Sequence, residues 1–231
     1  MSDALAQALG GCQEYFDEKT KNSLEFVIKG FAGYRIFHFE VKYSVIEKEK
    51  VNKKKIVSLK LDIPLTVIEI NEFEKLISFD CYNCGLEELP ELPNTLMELK
   101  CSHNRLERLP KLPDSLELIN CSCNKIKKLT EGKLPGKLKK LVCHANRIKE
   151  ISEFPGNLAE LYCYRNLINE LNIKFAEKLT ILDCSQNKLT SLCGCLINLK
   201  YFNCSFNKLE KLPELSNKCV EMSCSDNKLK V

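Results

Sequence analysis

Fourteen cysteines and three histidines are the residues of this 231-residue chain best suited to chemistry. Cys81-x-x-Cys84 has the spacing of half a zinc site, and Cys121-x-Cys123 and Cys193-x-Cys195 are further close pairs. No second C-x-x-C stands at ligand spacing, and His38, His103 and His144 are the whole imidazole supply. The spacing therefore predicts neither a metal nor a cofactor. Cysteine-rich secreted chains use disulfides, but Met-Ser-Asp-Ala-Leu-Ala-Gln lacks the basic and apolar regions of a secretory signal. Reduced thiols are expected instead. Motifs of nucleotide binding and hydrolysis (G-x-x-x-x-G-K-[ST], G-x-S-x-G, H-E-x-x-H, G-x-G-x-x-G) are absent. Cys143 and His144 are neighbours, yet successive strand residues point to opposite faces, so they form no dyad. The chain reads as a binding protein rather than an enzyme.

What positions the cysteines is a repeat. Cys81, Cys101, Cys121, Cys143, Cys163, Cys184, Cys204 and Cys224 follow one another at steps of 20, 20, 22, 20, 21, 20 and 20. Each sits in the frame L-x-x-L-x-C-x-x-N-x-L, clearest in Leu96–Leu106, Leu138–Ile148 and Leu179–Leu189. A weaker copy begins at Ile56 and places Leu61 in the cysteine slot. In Leu99-Lys100-Cys101, alternation turns residues 99 and 101 inward and 100 outward. One such strand cannot bury its apolar face, so the copies must stack into a parallel sheet over a continuous core. At about 4.8 Å per strand, the stack spans roughly 40 Å. The cysteines then form an inward ladder of small hydrophobes. Asn104, Asn124, Asn146, Asn166, Asn187, Asn207 and Asn227 form a second ladder, suited to satisfying buried backbone groups where each strand turns away. Cys84 takes that slot in the first clear repeat.

Over about residues 56–231 the frame resembles the leucine-rich-repeat family. The resemblance implies an α/β solenoid: a horseshoe with a parallel sheet on the concave face and a mostly non-helical convex side. It implies one degenerate and eight full repeats of 20–22 residues. The prolines of Leu89-Pro90-Glu91-Leu92-Pro93 and Leu109-Pro110-Lys111-Leu112-Pro113 fix an extended return stretch. The short L-P-x-L-P period resembles bacterial effector repeats of the YopM and IpaH types. Cysteine in the sheet ladder resembles an internalin instead. After the last repeat no length remains for a ligase domain, so that activity is not implied.

Residues 1–55 depart from the repeat. Residues 2–21 suit a short helix, while 24–28 and 36–41 suit two strands around Gly30-Phe31-Ala32-Gly33. Together they predict an N-terminal helix/hairpin cap over the open end of the first coil. Glu47–Lys55 reads as a solvated loop. At the other end only Lys230 and Val231 follow the last frame, so the edge of the last repeat is expected to be open to self-association.

Hydrophobic residues make up 44% of the chain and charged residues 29%, which excludes a disordered tail. No run approaches the roughly 20 apolar residues of a membrane span. The net charge of +4 arises after Lys75, where 23 basic residues meet 19 acidic ones, too mild a balance to demand nucleic acid. In a leucine-rich repeat the residues at Cys−3, Cys−1, Cys+1 and Cys+2 line the concave face. Val142, His144, Tyr162, Tyr164, Arg165, Ile181, Asp183, Tyr201 and Phe206 gather there as the candidate partner-binding patch. Flanking coils present Ser102, Ser122, Ser185, Ser205 and Ser225. A basic row follows the asparagines: Arg105, Lys125, Arg147, Lys188, Lys208 and Lys228, diluted by Glu107, Glu150, Glu170 and Glu210. The resulting expectation is a protein-binding bacterial effector, a virulence factor without a signal peptide or membrane anchor. It would be cytoplasmic, be delivered into a host cell and bind a host protein there, with no small-molecule substrate. Two alternatives stand beside it: an activity in residues 1–55 that the repeats target, and binding of nucleic acid or anionic membrane along the basic row.

Overall fold

The computed structural model describes residues 27–29, 38–42, 56–61, 70, 73–151, 154–173, 177–192, 194, 196–215 and 217–230, the first two stretches as backbone. The core forms because each frame delivers its leucines and its cysteine to one side. Leu96, Leu99, Cys101 and Leu106 of one coil, and Leu138, Leu141, Cys143 and Ile148 of another, are all fully buried. Burying each leucine stabilises the stack by roughly 1.5–3 kcal/mol.

Nine strands of the repeats lie side by side in sequence order: β3 (Ser58–Lys60), β4 (Ser78–Asp80), β5 (Glu98–Lys100), β6 (Leu118–Asn120), β7 (Lys140–Val142), β9 (Glu160–Tyr162), β11 (Ile181–Asp183), β12 (Tyr201–Asn203) and β13 (Glu221–Ser223). All neighbours are parallel, and corresponding frame positions face each other: Glu98 pairs with Leu118, and Val142 with Tyr162. β1 (Val27–Lys29) runs antiparallel to β2 (His38–Lys42), which joins β3 in parallel, giving eleven strands in one sheet. The helix expected over 2–21, the Gly30–Gly33 turn, the loop Glu47–Lys55 and the pair Cys193-x-Cys195 lie outside the described residues.

The far side of each coil holds little regular structure. β8 (Glu150–Ile151) and β10 (Glu170–Leu171) pair in parallel, and single bridges join Arg108 to Lys128 and Leu196 to Leu215. Among the described residues this solenoid is strand and turn without helix. Four coils return to the sheet through a Pro-x-x-Leu turn. In each, the proline carbonyl accepts the N–H three residues on, as in Pro93 to Leu96 (3.0 Å) and Pro155 to Leu158 (3.0 Å). Coverage thins at the last strand: β13 is exposed along its length, Val220 is 87% exposed, and Met222 and Leu229 are partly bare.

Candidate interaction face

The residues just after each inward cysteine shape the face. Two positions past it, the backbone turns left-handed at Asn83, His103, Cys123, Ala145, Arg165, Gln186, Phe206 and Asp226, with φ between 52° and 57°. Each of these N–H groups except the last donates across to the next coil, for example Ala145 to the Tyr164 carbonyl at 3.0 Å. The sequence expectation placed Cys+2 on the flat sheet face. It is instead a turn position at the rim, which carries Arg165 and Phe206 outward, the latter 54% exposed.

One residue further, the asparagines form a seam between coils. Asn166 Nδ2 donates to the carbonyls of Cys143 and Cys163, both at 3.0 Å, and Oδ1 accepts the Ile148 N–H at 3.0 Å. The same pattern recurs at Asn104, Asn124, Asn146, Asn187, Asn207 and Asn227, each reaching back to the preceding coil. In the first clear repeat Cys84 Sγ points to the carbonyls of Leu61 and Tyr82 at 3.6 and 3.4 Å. All eleven described cysteines are free. Burial pushes the Cys121 and Cys204 thiols up to about 12, and holds those of Cys81, Cys101, Cys143, Cys163 and Cys184 well above the ordinary value. Cys123 lies in a rim turn and is half-buried. Among the described residues no three His, Cys, Asp or Glu side chains are placed to hold a metal ion.

The serines differ from expectation. Ser102, Ser122, Ser185 and Ser205 are buried rather than presented outward, and Ser225 alone is exposed. For Ser122, Ser185 and Ser205 the cause is a local motif, Asx-Cys-Ser; Ser102, two residues after Lys100, is buried without it. Asn120 Oδ1 accepts the Ser122 hydroxyl at 2.8 Å, Asp183 Oδ1 accepts that of Ser185 at 2.7 Å, and Asn203 Oδ1 accepts the Ser205 N–H at 3.1 Å. Coils built this way consume their own polarity. β4, β5 and β13 lack the motif, and so do β7 and β9, which lie between the motif-bearing β6 and β11 and carry Val142 with His144 and Tyr162 with Tyr164.

Those four side chains and their neighbours come together. Register sets Val142 beside Tyr162, Tyr162 beside Asp183, and Ile181 beside Tyr201. All are half-buried. His144 lies flat on Tyr164, with ring centroids 4.2 Å apart. Burial, chiefly, lowers the His144 pKa and raises those of Tyr162 and Tyr164. His144 Nδ1 is buried without a hydrogen-bond partner. Arg165 Nε donates to Gln186 Oε1 at 2.9 Å, and Phe206 follows Gln186 in the rim row. Two features escaped the sequence reading. Lys140 Nζ meets Glu160 at 2.7 Å and sits 5.3 Å from the Tyr162 ring centre. Tyr82 packs edge-on against His103 at 5.1 Å. Both arise between coils, so the signal is a frame position compared down successive repeats. The basic row is exposed, as its position after the asparagines requires, and Glu107 beside it bonds Lys127 at 2.9 Å.

No family model and no curated protein matches the chain. Several solved structures do. YopM from Yersinia enterocolitica WA-314 is similar over 75% of this chain, at 30% identity and a TM-score of 0.65. The functional domain of InlJ from Listeria monocytogenes, which includes a cysteine ladder, is similar over 75%, at 27% identity and a TM-score of 0.64. A Shigella effector LRR domain is similar over 64%, at 29% identity and a TM-score of 0.56. The chain spans 37%, 44% and 67% of those three chains in turn. With its inward leucines, asparagine seam and thiol ladder, the chain is a leucine-rich-repeat protein, its repeats similar to those of bacterial effectors and its cysteines to the InlJ ladder.

Proposed function

We propose that the chain is a protein-recognition module that takes its partner on the concave face around Tyr162, Tyr164 and Tyr201, binding without catalysis. The observation that carries this reading is the aromatic cluster of β7 and β9, set between β6 and β11, whose Asx-Cys-Ser turns satisfy their own polar groups. Where neighbouring coils satisfy their own polar groups, these two expose aromatic surface of the kind that dominates interfaces. Protein binding accords with the effector and internalin structures that share the fold. The likeness to a Shigella effector supports a host protein as the partner and delivery into the host cytoplasm, in a virulence role. Among the described residues no helix is long and apolar enough to cross a membrane.

The test is a quantitative pull-down from eukaryotic cell lysate. The intact chain is compared with a Tyr162→Ala, Tyr164→Ala, Tyr201→Ala variant whose fold is checked by circular dichroism. A partner retained by the chain and lost by the variant supports the reading. A partner kept by both moves the site to residues 1–55 or to the basic row. The exposed Val220, Met222 and β13 favour a second reading, self-association at that end, which sedimentation of a Met222→Lys variant checks.

A further inference from the structure

Charge is distributed unevenly over the concave face. From Ser58 to Asp226, the strand and rim positions hold four basic residues (Lys60, Lys100, Lys140, Arg165) against six acidic ones, whereas the whole chain is net positive by four. The first half is balanced. Lys100 pairs with Glu98 at 2.9 Å, and register sets Asp80 between Lys60 and Lys100. The second half is not. Glu160 holds Lys140, Arg165 turns to Gln186, and Asp183, Glu221 and Asp226 have no cationic partner among the described residues. Asp183 lies beside Tyr162, on the same strand as Ile181 and two residues along from the Ile181–Tyr201 row.

The turn to Ser185 does not need the charge at Asp183, whose second oxygen accepts only a long bond from Asn203 Nδ2 at 3.4 Å. Asn120 and Asn203 occupy the same slot in β6 and β12 and make the same turn to the serine two residues on. An uncharged side chain therefore makes the same turn. A carboxylate beside Tyr162 and diagonal to Tyr201, partly shielded from water, suits a cation held by the charge and resting against a neighbouring ring. We infer that the Tyr162–Asp183–Tyr201 part of the concave face receives an extended basic segment of the partner protein, with an arginine or lysine side chain seated at Asp183.

This rests on the concave face being the binding face, and it specifies the chemistry of the partner. An anionic partner such as a single-stranded nucleic acid would meet uncompensated carboxylates here. The net charge makes the test selective, because a chain of net charge +4 repels a basic peptide except where the surface favours it.

The probe is a fluorescein-labelled peptide of alternating glycine and arginine. About twelve residues, extended, reach roughly 40 Å. Binding to the full chain is read by fluorescence anisotropy at low salt. Alternating glycine–glutamate peptide and oligouridylate serve as competitors. Asp183→Asn, which keeps the hydrogen bond to Ser185, and Tyr162→Ala should each weaken binding about fivefold. Glu107→Gln, away from the face, should leave it unchanged, and added salt should weaken it. Absence of peptide binding, equal loss in Glu107→Gln and Asp183→Asn, or tighter binding of either anionic probe would overturn the inference. If the lysate partner depends on the tyrosines while the basic peptide does not bind, the concave-face reading stands and this one falls. Peptide binding lost with Asp183→Asn supports this one whatever the lysate yields.

Discussion

The imidazole of His144 lies on the ring of Tyr164 with the two planes within 7° of parallel. Protonation would put a cation into this half-buried stack. The groups that bear on it are His103 and Arg165, which oppose the charge, and Asp183, which favours it, but burial dominates and lowers the pKa. A lowered histidine pKa means that the unfolded chain binds the proton more readily. The neutral stack's contribution is present above the unfolded value of about 6.5 and is lost as pH falls below it. Urea midpoints should fall between pH 7 and 5, and His144→Phe, which keeps the stack, should remove that part of the slope.

The asparagine seam should dominate stability. Asn166→Ala strands the carbonyls of Cys143 and Cys163 and the N–H of Ile148. The expected loss is about 2–3 kcal/mol in urea unfolding. Asn227→Ala, in the less covered last coil, should lose about 1 kcal/mol. Equal losses at the two positions would mean that burial does not set the strength of the seam.

The thiol ladder makes the fold sensitive to alkali. Cys81, Cys101, Cys121, Cys143, Cys163, Cys184 and Cys204 all have raised pKa values, with burial as the first cause. The native state holds its protons while the unfolded state releases them above about pH 8.5, so stability is full below that pH and is lost as pH rises. Each thiol contributes a slope of about 1.4 kcal/mol per pH unit. Circular dichroism should show unfolding by about pH 10, and Cys143→Ala should shallow the slope by one thiol's share. In the native chain near pH 8, Cys123, Cys219 and Cys224 should react with an aromatic disulfide reagent while the seven buried ladder thiols from Cys81 to Cys204 stay silent.

Ala145 holds φ at 53° without the side-chain hydrogen bonding that helps Asn or Asp adopt this region. Ala145→Gly should raise stability by about 1 kcal/mol, measured as a shift in the urea midpoint.

The repeat frame made the core legible, because leucine and cysteine positions recur every 20–22 residues and strand alternation decides which face they take. The asparagine slot was readable for the same reason. The rim turn was not. No glycine marks any of its eight positions, and Phe206 and Arg165 are types that disfavour a positive φ. Only alignment of the coils shows that Asn83, His103 and Asp226, residues that tolerate this region, share the position. Serine burial was hidden in Asn120-Cys121-Ser122 and Asp183-Cys184-Ser185, whose hydrogen bonds satisfy groups that composition alone counts as surface. The patch at 142–144, 162–164, 181 and 201 was found as residue types. The Lys140–Glu160 pair and the Tyr82–His103 contact were not, since both join separate repeats.

Each asparagine points backward along the chain, so the coils of Cys81 to Cys204 are each completed by the one made after it. Cys81 and Leu86 receive their side-chain partner from Asn104, and Cys101 and Leu106 receive theirs from Asn124. During synthesis on a ribosome the newest coil therefore always lacks its seam, and structure trails the growing end by one repeat. A nascent chain arrested just before Asn166 emerges should leave the coil of Cys143 open to protease, and one arrested a few residues later should close it.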